Sequence, residues 1–152
     1  MAQVGLVAPD LQGLDALIAE SAAQGFDFLK RIPKLVAEDA RYLDADGSFV
    51  LGAYDGGVLV GIGGVTPDPY LREPGLGRVR HVYVAQRHRR SGIGRELIGG
   101  LEARAAAAYR RLRLRAVTAE AAAFYESLGY HRIADEKATH AKALVQPLGP
   151  TT

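Results

Sequence analysis

RHRRSGIG, residues 87–94, runs four basic side chains into a serine and two glycines. Directly after it, Ile93, Leu97, Ile98, Leu101, Ala105 and Ala108 keep helical spacing as far as about Tyr109. Directly before it, RVRHVYVA, residues 78–85, reads as a strand. The stretch is therefore a turn between a strand and the start of a helix. At a helix N-terminus the first N–H groups have no partner inside the helix and the macrodipole is positive, which makes a ready site for an anion. Gly92 and Gly94 lack a Cβ, so a ligand can approach the backbone itself. The arginines around them predict that this ligand is anionic.

Outward from the turn, the chain alternates strands and helices. QVGLVA (3–8) reads as a first strand, and Asp10 as the cap of a helix over 11–23 with Leu11, Leu14, Leu17 and Ile18 on one face. Gly25 ends it. A second helical segment runs from about Asp27 to Leu43 and is expected to kink or split at Pro33, which lacks an N–H. Residues 48–66 read as a β-hairpin turning at Asp55-Gly56-Gly57. PDPYLREPGLG (67–77) is a loop, RLRLRAV (111–117) a strand, and AEAAAFYESLG (119–129) a helix closed by Gly129. YHRIA (130–134) and THAKALVQPL (139–148) complete the strands. The order β-α-α-β-β-β-α-β-α-β-β predicts one mixed α/β domain over residues 1–152.

Composition narrows the chemistry. The 152 residues include no cysteine, so disulfides and thiolate nucleophiles are excluded. The four histidines show no metal-ligand spacing, and no metal is expected. MAQVGLVAPDLQG has neither a basic leader nor a long apolar run, which predicts no signal peptide, no membrane span and a cytoplasmic location. The net charge of +2 conceals a strong asymmetry: residues 1–73 sum to −6, residues 78–115 to +9 and residues 116–152 to −1. The middle of the chain looks suited to a polyanion and the first half to a cation.

Three phosphate-binding turns can be compared with the opening stretch. The P-loop requires a Lys-Ser/Thr pair that is absent. The dinucleotide fingerprint requires a glycine where Leu97 stands and an acid after the next strand, where RLRLRAV has none. Arg/Gln-x-x-Gly-x-Gly/Ala, the pyrophosphate turn of acetyl-CoA enzymes, fits Arg89-Arg90-Ser91-Gly92-Ile93-Gly94 throughout. Downstream, Thr118-Ala119-Glu120-Ala121-Ala122-Ala123-Phe124-Tyr125-Glu126-Ser127-Leu128-Gly129-Tyr130 keeps the spacing of Asn-x-x-Ala-x-x-Leu/Phe-Tyr-x-x-x-Gly-Phe. With both motifs on the expected elements, the chain resembles the GNAT N-acetyltransferase superfamily from end to end.

That resemblance implies a mostly antiparallel, twisted mixed sheet flanked by about four helices, and acetyl-CoA as cosubstrate. It implies that the backbone of Val82, Tyr83 and Val84 pairs with the pantetheine arm. Arg89, Arg90, Ser91, Gly92, Ile93, Gly94 and Arg95 would hold the pyrophosphate, and Thr118 would stand near the arm. Tyr125 matches the family tyrosine that donates a proton to the departing sulfur. Two departures stand out. Thr118 replaces a frequent Asn, and Arg78 occupies the place of a frequent glutamate base, leaving no carboxylate on that strand. His81 is then the best base on the strand, since an unperturbed imidazole titrates near 6.5. Alternation places His81 and Tyr83 on one face and Val82 and Val84 on the other. Asp68, Tyr70 and Glu73 could border the acceptor. The acidic first half predicts an acceptor with a primary amine that is cationic at rest, on a small molecule or peptide. A homodimer is compatible with this reading; a nucleic-acid or membrane partner is not expected. The alternatives are an acetyl-CoA-binding module without catalysis and, on the arginine content, a nucleic-acid binder.

Overall fold

The structure is a computed structural model that describes residues 3–7, 11–39, 44–45 and 47–144. The strands are β1 (Gln3–Leu6), β2 (Asp44–Ala45), β3 (Ser48–Asp55), β4 (Val58–Pro67), β5 (Leu76–Val84), β6 (Arg111–Leu114), β7 (His131–Arg132) and β8 (His140–Ala143). The helices are α1 (Leu14–Ala23), α2 (Arg31–Glu38), α3 (Ile93–Ala105) and α4 (Ala119–Ser127). Short 3₁₀ turns at Phe28–Lys30 and Gln86–His88 precede α2 and α3. This is the predicted order with the two-residue β2 added. Asp10, residues 40–43 and residues 145–148 lie outside the described residues, so the expected cap and the distal ends of two predicted elements fall there.

The strands form one mixed sheet in the order β1-β3-β4-β5-β6-β8-β7, with β2 paired to β3. Among the described strands only β5 and β6 run parallel. The sheet is covered on both faces, which is why β4 is buried along almost its whole length. On one face Leu14 and Leu17 of α1 and Ile32 of α2 pack with Val50, Val60 and Ile62. On the other, Leu97 and Leu101 of α3 pack with Phe49, Leu51, Val65, Val79 and Leu112. The apolar spacing read from the sequence describes the buried stripe of α3 through Ala105, but the helix ends there rather than near Tyr109, and Ala108 is exposed in the turn that follows. Pro33 neither kinks nor splits a long helix. It sits in the first turn of α2, where its missing N–H has no intrahelical acceptor to lose, and the segment divides two residues earlier at the 3₁₀ turn.

Two irregularities shape the functional region. The β5–β6 ladder holds only Leu76, Gly77 and Arg78 against Arg111, Leu112 and Arg113, and then the strands separate. On its other side β5 carries a bulge, because Ile62 pairs with Tyr83 while Gly64 pairs with Arg80, so Gly63 faces two residues. The extra residue is accommodated by His81 at φ 60°. Val79 packs on the α3 side, and so do Val82 and Val84. Alternation on either side of the bulge therefore turns both Arg80 and His81 toward the α1–α2 face, where Tyr83 is also buried. The predicted split separates Tyr83 from Val82, while Val84, near the strand end, packs against both clusters.

Candidate functional site

The parting of β5 from β6 opens two adjoining cavities. One, of about 520 Å³, is reached by Val82, Tyr83 and Val84 of β5, by the start of α3 and by Thr118, Phe124 and Tyr125. The other, of about 610 Å³, is reached by Arg78, Arg80 and His81 of β5, by Phe28 and Arg31, and by the chain leaving β6. Phe26, Phe28, Val82, Val117, Ala121 and Tyr125 line both. Tyr125 therefore stands where the two spaces meet.

The first cavity has the features of an anion site. The N-cap of α3 is Gly92 at φ 88°, a left-handed conformation that L side chains rarely adopt, and no side chain caps the helix. The N–H groups of its first turn are left for a ligand. A Cβ on Gly92 would meet nothing within 4 Å, so its freedom is conformational. Gly94 is different: a Cβ there would lie 3.1 Å from Cζ of Phe124, so this glycine lets α3 and α4 approach each other. Arg90 and Arg95 line the cavity. Arg89 lines it too, but its guanidinium is held elsewhere. Nε donates to the Val84 carbonyl at 3.0 Å and an Nη donates to Gln24 at 3.1 Å, with the Tyr83 ring 5.2 Å away in stacking position. Arg89 ties the turn to β5 and α1. Ser91 is also committed locally, donating to the His88 carbonyl. Thr118 caps α4, its hydroxyl accepting from the Ala121 N–H at 3.0 Å. The apolar side chains of Val82, Val84, Val117, Ala121 and Phe124 complete a wall that fits a flexible uncharged arm.

Glu20 has no motif to announce it. Its carboxylate accepts from the Tyr83 hydroxyl and from the Gln86 N–H, fixing β5 and the following turn to α1. The bond from Tyr83 holds Glu20 below the usual carboxylate range, while burial, helped by Glu20, pushes Tyr83 up to about 12. The only sequence signal is one of two acids in a mostly apolar helix, which is ordinary at a helix surface.

The second cavity is cationic. Arg31, Arg78, Arg80 and Arg115 line it, against a single acid, Asp27. Asp27 is 3.2 Å from Lys30. Arg78 is 8% exposed, donates to the Lys137 carbonyl at 2.7 Å, lies 3.7 Å from the Asp68 carboxylate and stacks 4.8 Å from the Tyr70 ring centre. Asp68 is buried, also pairs with Arg113 at 3.1 Å, and accepts from the Tyr70 and Leu71 N–H groups. Of the three loop residues expected at the acceptor, Tyr70 lines the cavity, Asp68 lies behind Arg78 and Glu73 is on the exposed part of the loop.

This corrects the expectation of a negative acceptor rim. Summing charge along the chain counted acids that the fold pairs off. Asp44 meets Arg104 and Asp68 meets Arg78 and Arg113, while Glu20, still ionised, is turned to Tyr83 and the Gln86 N–H and lines neither cavity.

His81 is 7% exposed and makes a backbone hydrogen bond with Phe28. Burial, with Arg80 and Arg31 nearby, pushes its pKa down to about 4, so it is neutral at pH 7. The Tyr125 hydroxyl is pushed well above the ordinary tyrosine range by burial and is protonated at neutral pH. Its ring is wedged between Phe124 and Tyr130, with centroids 5.2 Å and 5.5 Å away. Among the described residues no group of three His, Asp or Glu side chains is placed to hold a metal, and no helix is long and apolar enough to cross a membrane.

The family model for the acetyltransferase (GNAT) family matches residues 16–130, a span from α1 through the end of α4. The chain belongs to the GNAT family. Its structure superposes on a protein from Exiguobacterium sp. 255-15 classed among acetyltransferases with a TM-score of 0.84 and 28% identity, covering 94% of this chain and 93% of that one. A ribosomal-protein-alanine N-acetyltransferase from Brucella melitensis shares the fold at TM-score 0.70 and 23% identity, covering 93% and 99% of the two chains. A GNAT family acetyltransferase from Brucella melitensis, solved with acetyl-CoA bound, does so at 0.70 and 18%, covering 98% and 92%. No curated protein matches the sequence. The open seam between β5 and β6 in this GNAT chain thus belongs to a fold whose members include an acetyl-CoA complex.

Proposed function

We propose that this GNAT protein transfers the acetyl group of acetyl-CoA directly to a primary amine on a small molecule or peptide. The observation that carries the reading is the junction of the two cavities at Tyr125. One cavity offers an uncapped helix start with arginines, suited to a pyrophosphate; the other opens to an acceptor; and a protonated hydroxyl lies between them. Acetyl-CoA supplies the activated thioester. Arg90, Arg95 and the first N–H groups of α3 bind its phosphates, and Val82, Val84 and Val117 flank its arm. The acceptor nitrogen, as the free amine, forms a bond to the carbonyl carbon while the carbon–sulfur bond breaks and its electron pair leaves on sulfur. Tyr125 donates its proton to that sulfur and regains one from solvent. The amine proton passes to His81 or to water in the acceptor cavity.

A second reading, a module that binds acetyl-CoA without turnover, is favoured by one observation. β5 bears no carboxylate, and its histidine is a weak base. Calorimetry with acetyl-CoA together with free coenzyme A release over a panel of amines decides between them. Binding with turnover supports the enzyme, binding without turnover supports the module, and no binding refutes both.

A further inference from the structure

We propose that the acceptor cavity contains its own anion subsite, built by Arg31, Arg78, Arg80 and Arg115, so that the accepted amine also bears a carboxylate or phosphate group. The inference rests on the acetyltransferase reading and extends it to the chemistry of the second substrate.

The four arginines come from three parts of the chain: Arg78 and Arg80 from β5, Arg31 from the start of α2, and Arg115 from the segment after β6. None of them lines the cavity at the start of α3, which has Arg89, Arg90 and Arg95 of its own. The wall common to the two cavities is apolar apart from Tyr125. The cationic cleft is therefore not an extension of the phosphate-binding turn. Arg31 and Arg115 are exposed, and Arg115 donates to the Glu136 carbonyl at 3.0 Å, so the cleft is open to a second anion.

Burial sharpens the point. Desolvation penalises like charges brought together, and Arg78 and His81 are both pushed toward their neutral forms by it. Asp68 compensates Arg78 from behind and shares Arg113 with Asp135, so among the described residues the uncompensated arginines of the cavity are Arg31, Arg80 and Arg115. The bulge adds to the crowding, because it turns Arg80 and His81 to the same side where regular pleating would separate them. The one acid of the lining, Asp27, is close to Lys30. A ligand anion would complete the charge balance and receive forked hydrogen bonds from guanidinium groups, a geometry suited to carboxylate and phosphate alike.

The test compares amines that differ in one group: an α-amino acid against its carboxamide, and a phosphorylated amino alcohol against the parent alcohol. Coenzyme A release is followed for each. The anionic member of at least one pair is expected to show a kcat/KM at least about tenfold higher, as for a charge-assisted hydrogen bond, and the responding pair distinguishes carboxylate from phosphate. Arg31→Ala and Arg80→Ala, both outside the buried Asp68 cluster, should each reduce that ratio several-fold. Arg90→Ala, in the other cavity, should change the dependence on acetyl-CoA and keep the ratio. Equal or faster turnover of the neutral amines overturns the subsite and leaves the acetyltransferase reading intact. If no amine in the panel reacts, inorganic phosphate is titrated against thermal unfolding. Protection lost in the Arg31→Ala/Arg80→Ala double variant supports the subsite, and protection absent or unchanged overturns it. Absence of acetyl-CoA binding by calorimetry refutes the functional reading separately.

Discussion

Tyr125 and His81 carry opposite demands on protonation. The Tyr125 hydroxyl is needed only as negative charge develops on sulfur, so Tyr125→Phe should lower kcat by about 100-fold and leave acetyl-CoA affinity nearly unchanged. Stopped-flow turnover beside calorimetry checks both halves. His81 titrates near 4, which removes the expectation of an ionisation near neutrality in the pH–rate profile. The depressed pKa also links to stability. In the unfolded chain a histidine binds its proton below about 6.5, whereas folded His81 resists protonation until about 4. Stability is therefore fully present above pH 6.5 and is lost as the pH falls toward 4, by up to about 3 kcal/mol. His81→Asn, whose side chain tolerates the positive φ, should flatten urea denaturation midpoints between pH 7 and pH 4.5. An equally steep loss in the variant would clear His81 of the effect. Tyr125 was legible in the sequence because it sits in a spaced motif. Burial of His81 was not, since nothing local indicates that the 3₁₀ turn at Phe28 will meet β5.

At the scale of elements, the sequence was most informative where periodicity and turn chemistry agree. The α3 stripe, the Asp55–Val58 hairpin and the end of α4 at Gly129 all follow from it. It was least informative about partners brought together by the sheet. Arg89 reads as a phosphate ligand from its motif, yet its side chain is fastened to Val84 and Gln24, and only the pairing of α1 with β5 reveals this. Arg89→Ala should therefore lower thermal stability as well as acetyl-CoA affinity, whereas Arg95→Ala should lower affinity alone. Thermal melts of the free proteins separate the two. Gly94 gives a parallel case. Gly94→Ala should push α4 outward against Phe124 and cost activity, and the added Phe124→Leu change should restore part of it. The Asp68 carboxylate joins the end of β4 to Arg78 of β5 and Arg113 of β6, and Arg113 is 2% exposed. Asp68→Asn removes the carboxylate facing Arg78, while Arg113 keeps Asp135 at 3.3 Å, and should destabilise the fold by about 3 kcal/mol, read by chemical denaturation.

For the molecule as a whole, net charge and even charge by segment are poor guides to function. The eleven arginines of residues 78–115 do not form one basic face. Arg78 and Arg113 are buried, Arg104 is paired with Asp44, Arg80 and Arg115 line one cavity and Arg89, Arg90 and Arg95 the other, and Arg87, Arg110 and Arg111 line neither. Their common consequence is a field that favours anions at both mouths. The kcat/KM for an anionic amine should fall as ionic strength rises, more steeply than for its neutral analogue, because screening shortens the range of the attraction. Rates measured from low salt to about 0.5 M would show it. A flat response would restrict the arginines to contact distance.

A sheet that parts after three paired residues has an edge in its interior as well as at its rim. Backbone groups of β5 and of the segment following β6 face each other there across a space too wide for a ladder. Ligand occupying the seam adds contacts that the free fold lacks, and its binding free energy is then added to that of folding. At a hundred times its dissociation constant this amounts to about 2.7 kcal/mol. Amides along Val79–Val84 should exchange with solvent more slowly once acetyl-CoA is bound, and the lifetime of the folded chain in a cell would rise and fall with the supply of its own cosubstrate.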